Sequence, residues 1–170
     1  VGLFRLSRSS AGSALLLVLV ALVLARPWEG LWREEPPASA MAYVTRAVDG
    51  DTIEVRLGGQ EEDVRYIGVD TPETVKPDTP VQCFGPQASR FNHALVEQRR
   101  VRLVFGVERR DVYGRLLAYV YLDGRFVNAE LVRRGLARTL TIPPNDRFAE
   151  RFKLLEVAAA RAGRGLWGRC

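Results

Sequence analysis

Five short runs rich in apolar residues lie along this chain. Thr52 to Leu57 (TIEVRL) alternates clearly between apolar and polar positions, Tyr43 to Val48 alternates as well, and Val64 to Val69, Val101 to Val107 and Leu116 to Leu122 are three further runs. All five read as strands. Asp49-Gly50 separates the first pair and Gly58-Gly59 follows the second run, so two tight hairpins are expected. Elsewhere the spacing changes to three and four residues. Gly85-Pro86 opens one helical stretch to about Gln98, with Ala88, Phe91, Ala94 and Leu95 on one face. Asn128 is a candidate N-cap for Ala129 to Arg134, which Gly135 ends. Phe148 to Ala162 repeats Phe148, Phe152, Leu155, Ala159 and Ala162 on one face before Gly163.

Five strands with tight early turns and three helices predict an α+β domain built on a small OB-type β-barrel. The expected organisation is a segment 1–26, a linker 27–42 and a domain 43–170. In the first segment, Arg5 and Arg8 precede an unbroken apolar run from Ala14 to Ala25, closed by Arg26-Pro27. That pattern predicts an export signal or a membrane anchor, short for a span of about 20 residues. The linker contains EEPPASAMA, Glu34 to Ala42. The domain is therefore expected outside the cytoplasm, secreted or tethered by its N-terminus, with membrane contact only through that segment.

Composition narrows the chemistry. The formal net charge is +5 and all basic residues except Lys76 and Lys153 are arginine. A basic balance favours a polyanionic partner, and the planar guanidinium fork suits phosphate. Two cysteines without a C-x-x-C pair, and a single histidine, His93, leave too few soft ligands for tetrahedral zinc. A histidine-dependent nucleophile has one candidate base and no convincing partner.

What remains is a set of carboxylates and arginines. Asp51 follows the first hairpin turn, Asp70-Thr71-Pro72-Glu73 ends the third run, Arg65 lies within it, and Arg115 follows Tyr113-Gly114. Phosphodiester cleavage needs oxygen ligands for a hard cation, a positioned base for water, and cations facing the phosphate oxygens. Pro72 fixes the backbone beside Glu73 and so aims its carboxylate. Taken singly, each segment also reads as ordinary structure: Asp49-Gly50-Asp51 as a turn, DTPE as the cap of a strand, DVYGR as an exposed loop. Spacing alone does not bring the three together.

The ordered motifs do. Val44-x-x-x-x-Asp49-Gly50-Asp51-Thr52, Val64-Arg65, Val69-Asp70-Thr71-Pro72-Glu73-Thr74, Phe84-Gly85-Pro86-Gln87-Ala88-Ser89, Asp111-x-Tyr113-Gly114-Arg115-Leu116-x-Ala118-Tyr119 and Val127-Asn128-x-x-Leu131-Val132-Arg133-x-Gly135-Leu136-Ala137 together resemble the staphylococcal nuclease (thermonuclease) family. The resemblance covers roughly residues 43 to 167. It implies a five-stranded barrel with three helices and one Ca2+ ion held by Asp51, Asp70 and the carbonyl of Thr71, with Asp49 behind them. It implies Glu73 as general base, Arg65 and Arg115 on the phosphate, and Tyr113 against a terminal phosphate. The implied activity is hydrolysis of DNA and RNA, single strands preferred, to 3′-phosphate ends, by a monomer.

Val112, Leu140 and Ile142 stand where the family carries a lysine and two pocket tyrosines, which bears on base preference. The two cysteines are a further departure. An exported protein keeps disulfides, and a Cys83–Cys170 bond is expected to pin the C-terminal tail, two free thiols being the alternative. Trp167 is expected to pack on the barrel and His93 to face solvent. The competing functional class is an OB-type single-strand binder that does not cleave, which should present exposed aromatics on the barrel face. The acids and arginines of the motifs are all present.

Overall fold

The computed structural model describes residues 38–74 and 80–170. The expected signal or anchor, 1–26, and most of the expected linker lie outside the described residues. Among those described, no helix is long and apolar enough to cross a membrane.

Five strands close a barrel. They are β1 (Ser39–Ala47), β2 (Thr52–Leu57), β3 (Gln60–Tyr66), β5 (Arg100–Arg110) and β6 (Leu116–Leu122). β1 pairs antiparallel with β2 and with β5, β2 with β3, and β5 with β6. A parallel pairing of β3 with β6, Val64↔Leu116 through Tyr66↔Ala118, joins the two ends. Closure leaves none of the five as a free edge at that seam. Their inward residues, among them Val44, Ile53, Val55, Val64, Tyr66, Val101, Leu103 and Val120, are fully buried.

The edges of β2 and β6 fall where the sequence runs put them. β1 begins at Ser39, ahead of Tyr43, because Ser39 to Ala42 pair with Val101 to Val104 of β5. The third run is not one strand. β3 ends at Tyr66, the chain bends at Gly68 with φ 81, and a separate β4 (Gly68–Asp70) pairs with β8 (Arg138–Leu140) in a second, two-stranded sheet. The bend takes Asp70 out of the barrel sheet and pairs it with Arg138 in the second. The remaining strand, β7 (Arg125–Phe126), forms a short hairpin with β6.

Helices α1 (Gly85–Val96), α2 (Val127–Arg133) and α3 (Ala149–Arg161) cover the barrel, and a single turn α4 (Leu166–Arg169) follows. Asn128 does not cap α2, which starts one residue earlier. It is wholly buried, accepts the Val120 N–H at 2.9 Å and donates to the Ile67 carbonyl at 2.9 Å. Those backbone groups sit where β3 stops, so the side chain replaces a missing strand partner. Trp167, expected to pack on the barrel, lies beside Gly135 and Arg138. Its neighbour Leu166 is the buried residue, and Trp167 lies half-buried with the Arg138 guanidinium 4.5 Å from its ring centre. His93 is exposed and pairs with Glu97. Cys83 and Cys170 are bonded, with Cα atoms 6.0 Å apart, and tie α4 to the segment before α1.

Candidate active site

The hairpin between β1 and β2 builds one wall. The Val48 and Asp49 N–H groups both donate to the Thr52 carbonyl, at 2.9 and 3.3 Å. The Asp49 carboxylate turns back to accept the Asp51 N–H at 2.9 Å, the local side-chain bond that favours aspartate in turns. The Asp49 carbonyl accepts from Asn92 of α1 at 2.9 Å, and Asn92 accepts from the Tyr66 hydroxyl at 2.9 Å. Burial holds the Tyr66 phenol far above its ordinary range, so it stays a donor. This buried chain of bonds fixes the turn from below.

Asp51 is the centre of the site and is only 4 % exposed. One oxygen accepts both the N–H and the hydroxyl of Thr71, at 2.6 and 3.0 Å. Its other oxygen contacts Arg65, and the second Nη of Arg65 donates to Asp70 at 2.8 Å. Burial pushes the Asp51 carboxyl up to about 6, against the pull of Arg65 and with a further push from Asp49. Gly50 allows the approach: a Cβ there would lie 2.6 Å from the Thr71 hydroxyl.

The loop after β5 also lines the cleft. Asp111 accepts the backbone N–H of Tyr113 and of Arg115, each at 3.0 Å, and its other oxygen takes Arg115 Nε at 2.8 Å and Nη2 at 2.7 Å. The Arg115 guanidinium lies 5.3 Å from the Tyr113 ring centre. Glu73 lies beyond β4 and lines the same cleft. Its backbone N–H donates to Gln82 and its carboxylate accepts the Thr74 N–H at 2.8 Å.

All eight residues expected at the site, Asp49, Asp51, Arg65, Asp70, Thr71, Glu73, Tyr113 and Arg115, line one cleft of about 670 Å³. Beside it lies a more apolar pocket of about 330 Å³, which shares Arg65, Tyr113 and Arg115 and adds Val112, Leu117, Leu140 and Ile142. Cys83 and Cys170 are not part of either lining.

Among the described residues no group of three or more carboxylate, histidine or cysteine side chains is arranged to hold a metal. The side-chain donor set is two carboxylates, Asp51 and Asp70, meeting on the single positive charge of Arg65. Two carboxylates that converge on one cation, in a cleft lined by no histidine or cysteine, fit a hard ion that completes its shell with carbonyl oxygen and water.

The residues that support the cleft left weaker signals in the sequence. Asp111 was visible only as part of a motif, although an aspartate two residues before Tyr113 and four before Arg115 is a turn signature. Asn92 and Gln82 left no such signal, since their bonds reach across 43 and 9 residues.

Residues 63–169 match the family model described as staphylococcal nuclease homologue. The chain is 46 % identical over 126 residues to a thermonuclease from Staphylococcus intermedius, covering 74 % of this chain and 75 % of that one. It is 43 % identical over 124 residues to the thermonuclease of Staphylococcus hyicus, covering 73 % of each. With endonuclease YncB of Bacillus subtilis it shares 45 % over 126 residues, 73 % of this chain and 60 % of the other. A closed five-stranded barrel with three helices, carrying these motifs in order, belongs to the staphylococcal nuclease family.

Proposed function

We propose that this chain is a calcium-dependent phosphodiesterase that hydrolyses DNA and RNA, single strands first, leaving 3′-phosphate ends. The observation that carries the reading is the cleft itself: Asp51, Asp70, Arg65, Arg115 and Glu73 line it together, with Arg65 bridging the two aspartates. The nuclease names of the relatives agree with it.

Asp51, Asp70 and the Thr71 carbonyl would hold the calcium ion. When bound, calcium supplies positive charge beside the phosphate and to its bound water. Glu73 takes a proton from the attacking water as its oxygen bonds to phosphorus. The bond from phosphorus to the 5′ oxygen breaks, and that oxygen takes a proton from solvent. Arg65 and Arg115 face the equatorial oxygens, where negative charge grows in the transition state. Asp111 holds Arg115 by its Nε edge, so the remaining donors of the fork are left for phosphate. Tyr113 borders the cleft and the apolar pocket alike and is assigned to a terminal phosphate.

The apolar pocket receives the base next to the cleaved bond. Leu140 and Ile142 offer it an aliphatic floor, where stacking on an aromatic ring is worth about 1–3 kcal/mol per base. Affinity for short substrates is accordingly low. The proposal extends to export, which the Cys83–Cys170 bond supports, since such bonds persist in oxidising compartments.

Incubation of the full chain with single-stranded DNA or RNA, with calcium and then with a calcium chelator, tests the reading. Metal-dependent cleavage to 3′-phosphate ends is expected. Binding without cleavage would leave a nucleic-acid-binding module in its place.

A further inference from the structure

Both main-chain groups of Glu73 end on one residue. The Glu73 N–H donates to Gln82 Oε1 at 3.0 Å, and the Glu73 carbonyl accepts the Gln82 N–H at 2.9 Å. Glu73 lies beyond the last residue of β4, Asp70, so the strand ladder does not reach it. Gln82 is built into the start of α1, where its carbonyl accepts the Gly85 N–H at 3.0 Å. Gly85 packs so closely that a Cβ there would lie 2.9 Å from the carbonyl oxygens of Pro72 and Glu73. Cys83, which follows Gln82, is bonded to Cys170. The Cys170 N–H donates to the Leu166 carbonyl, and the Leu166 N–H donates to Gly135 after α2. A continuous route of covalent and hydrogen bonds thus runs from the body of the domain to the backbone of Glu73.

We propose that Gln82 is a positioning residue for Glu73, and that the Cys83–Cys170 bond anchors Gln82 to the body of the domain. The inference rests on the reading of Glu73 as the base. A base serves only while its carboxylate keeps its place beside the attacking water, and a displacement of about 1 Å can cost about 100-fold in rate. Loss of the clasp leaves Asp51, Arg65 and Arg115 in place. It therefore lowers kcat and spares KM.

Three variants of the full chain test this: Gln82→Ala, Gln82→Glu, and Cys83→Ser combined with Cys170→Ser. The measurements are kcat and KM on single-stranded DNA with calcium, and amide hydrogen exchange at Glu73, at a temperature where circular dichroism shows each variant folded. Gln82→Ala should lower kcat about 10- to 100-fold with KM within about twofold. Gln82→Glu keeps an acceptor for the Glu73 N–H and should recover most of the loss. The double serine variant should move kcat in the same direction by a smaller factor. Exchange at the Glu73 amide should quicken in Gln82→Ala and not in Gln82→Glu. Unchanged kcat and exchange in Gln82→Ala, beside an active wild type, overturns the clasp alone. A loss that Gln82→Glu does not recover makes Gln82 merely structural and also overturns it. A wild type that does not cleave overturns the reading of Glu73, and this inference with it.

Discussion

Thr71 gives two hydrogen bonds to a single oxygen of Asp51, from its backbone at 2.6 Å and from its hydroxyl at 3.0 Å. They join the hairpin that opens the barrel to the segment that leaves it after β4. Neither segment alone forms the site. Removing the hydroxyl with Thr71→Val keeps the backbone bond and costs about 1 kcal/mol of stability by urea unfolding. Gly50→Val is the harsher change, because the new side chain enters the space of Thr71. It should raise the calcium concentration needed for half-maximal cleavage more than Thr71→Val does.

The buried carboxyl of Asp51, held up to about 6 against an ordinary 3.8, gives a signed pH dependence. Between those values the folded protein keeps a proton that the unfolded chain has released. Stability without calcium therefore falls as pH rises from about 4 to about 6 and levels off above. Calcium competes with that proton, so it should raise the melting midpoint more at neutral pH than at about pH 5. Thermal unfolding with and without calcium measures both slopes, and Asp51→Asn should flatten them.

Asp111 and Arg115 act as one unit through the contacts of the Asp111 carboxylate with the Arg115 side chain and backbone. Arg115→Ala should lower kcat about 10²- to 10³-fold, the loss typical of a donor to developing charge. Asp111→Ala should lose about tenfold, since the guanidinium remains but is no longer aimed. The double variant should be no worse than Arg115→Ala, a non-additivity that kinetics of the four proteins reads directly.

Asn128 serves the fold. Its side chain satisfies the Val120 N–H and the Ile67 carbonyl in a fully buried place. Asn128→Ala leaves both without a partner and should cost about 2–4 kcal/mol in urea unfolding. An Asn128→Asp variant keeps the acceptor and loses the donor, and should also be destabilised.

Asn128 also shows where the sequence stopped being legible. An asparagine ahead of a helical run carries a local preference for capping, and nothing local says that a barrel strand ends beside it. The same holds for Val64 to Val69. Its apolar residues read as one strand, but Gly68 turns the chain with φ 81 before its last residue. The three-residue partner strand, Arg138–Leu140, is too short to leave a periodic signal. By contrast TIEVRL and LLAYVYL fall between turn residues with an unbroken pattern, and β2 and β6 match them end to end. The members of the cleft were legible as ordered motifs, because a family keeps its motifs in order. Two of their supports, Asn92 and Gln82, were not, because their partners Asp49 and Glu73 lie 43 and 9 residues away, whereas Asp111 stands within the motif of Arg115.

The most direct test of the account is the turnover of Glu73→Gln on single-stranded DNA with saturating calcium, beside wild type. Replacing a carboxylate base by an amide of the same shape should cut kcat by about 100-fold or more while DNA binding and the fold persist. Wild-type turnover in Glu73→Gln would contradict the assignment of the base, and with it the proposed chemistry of the cleft.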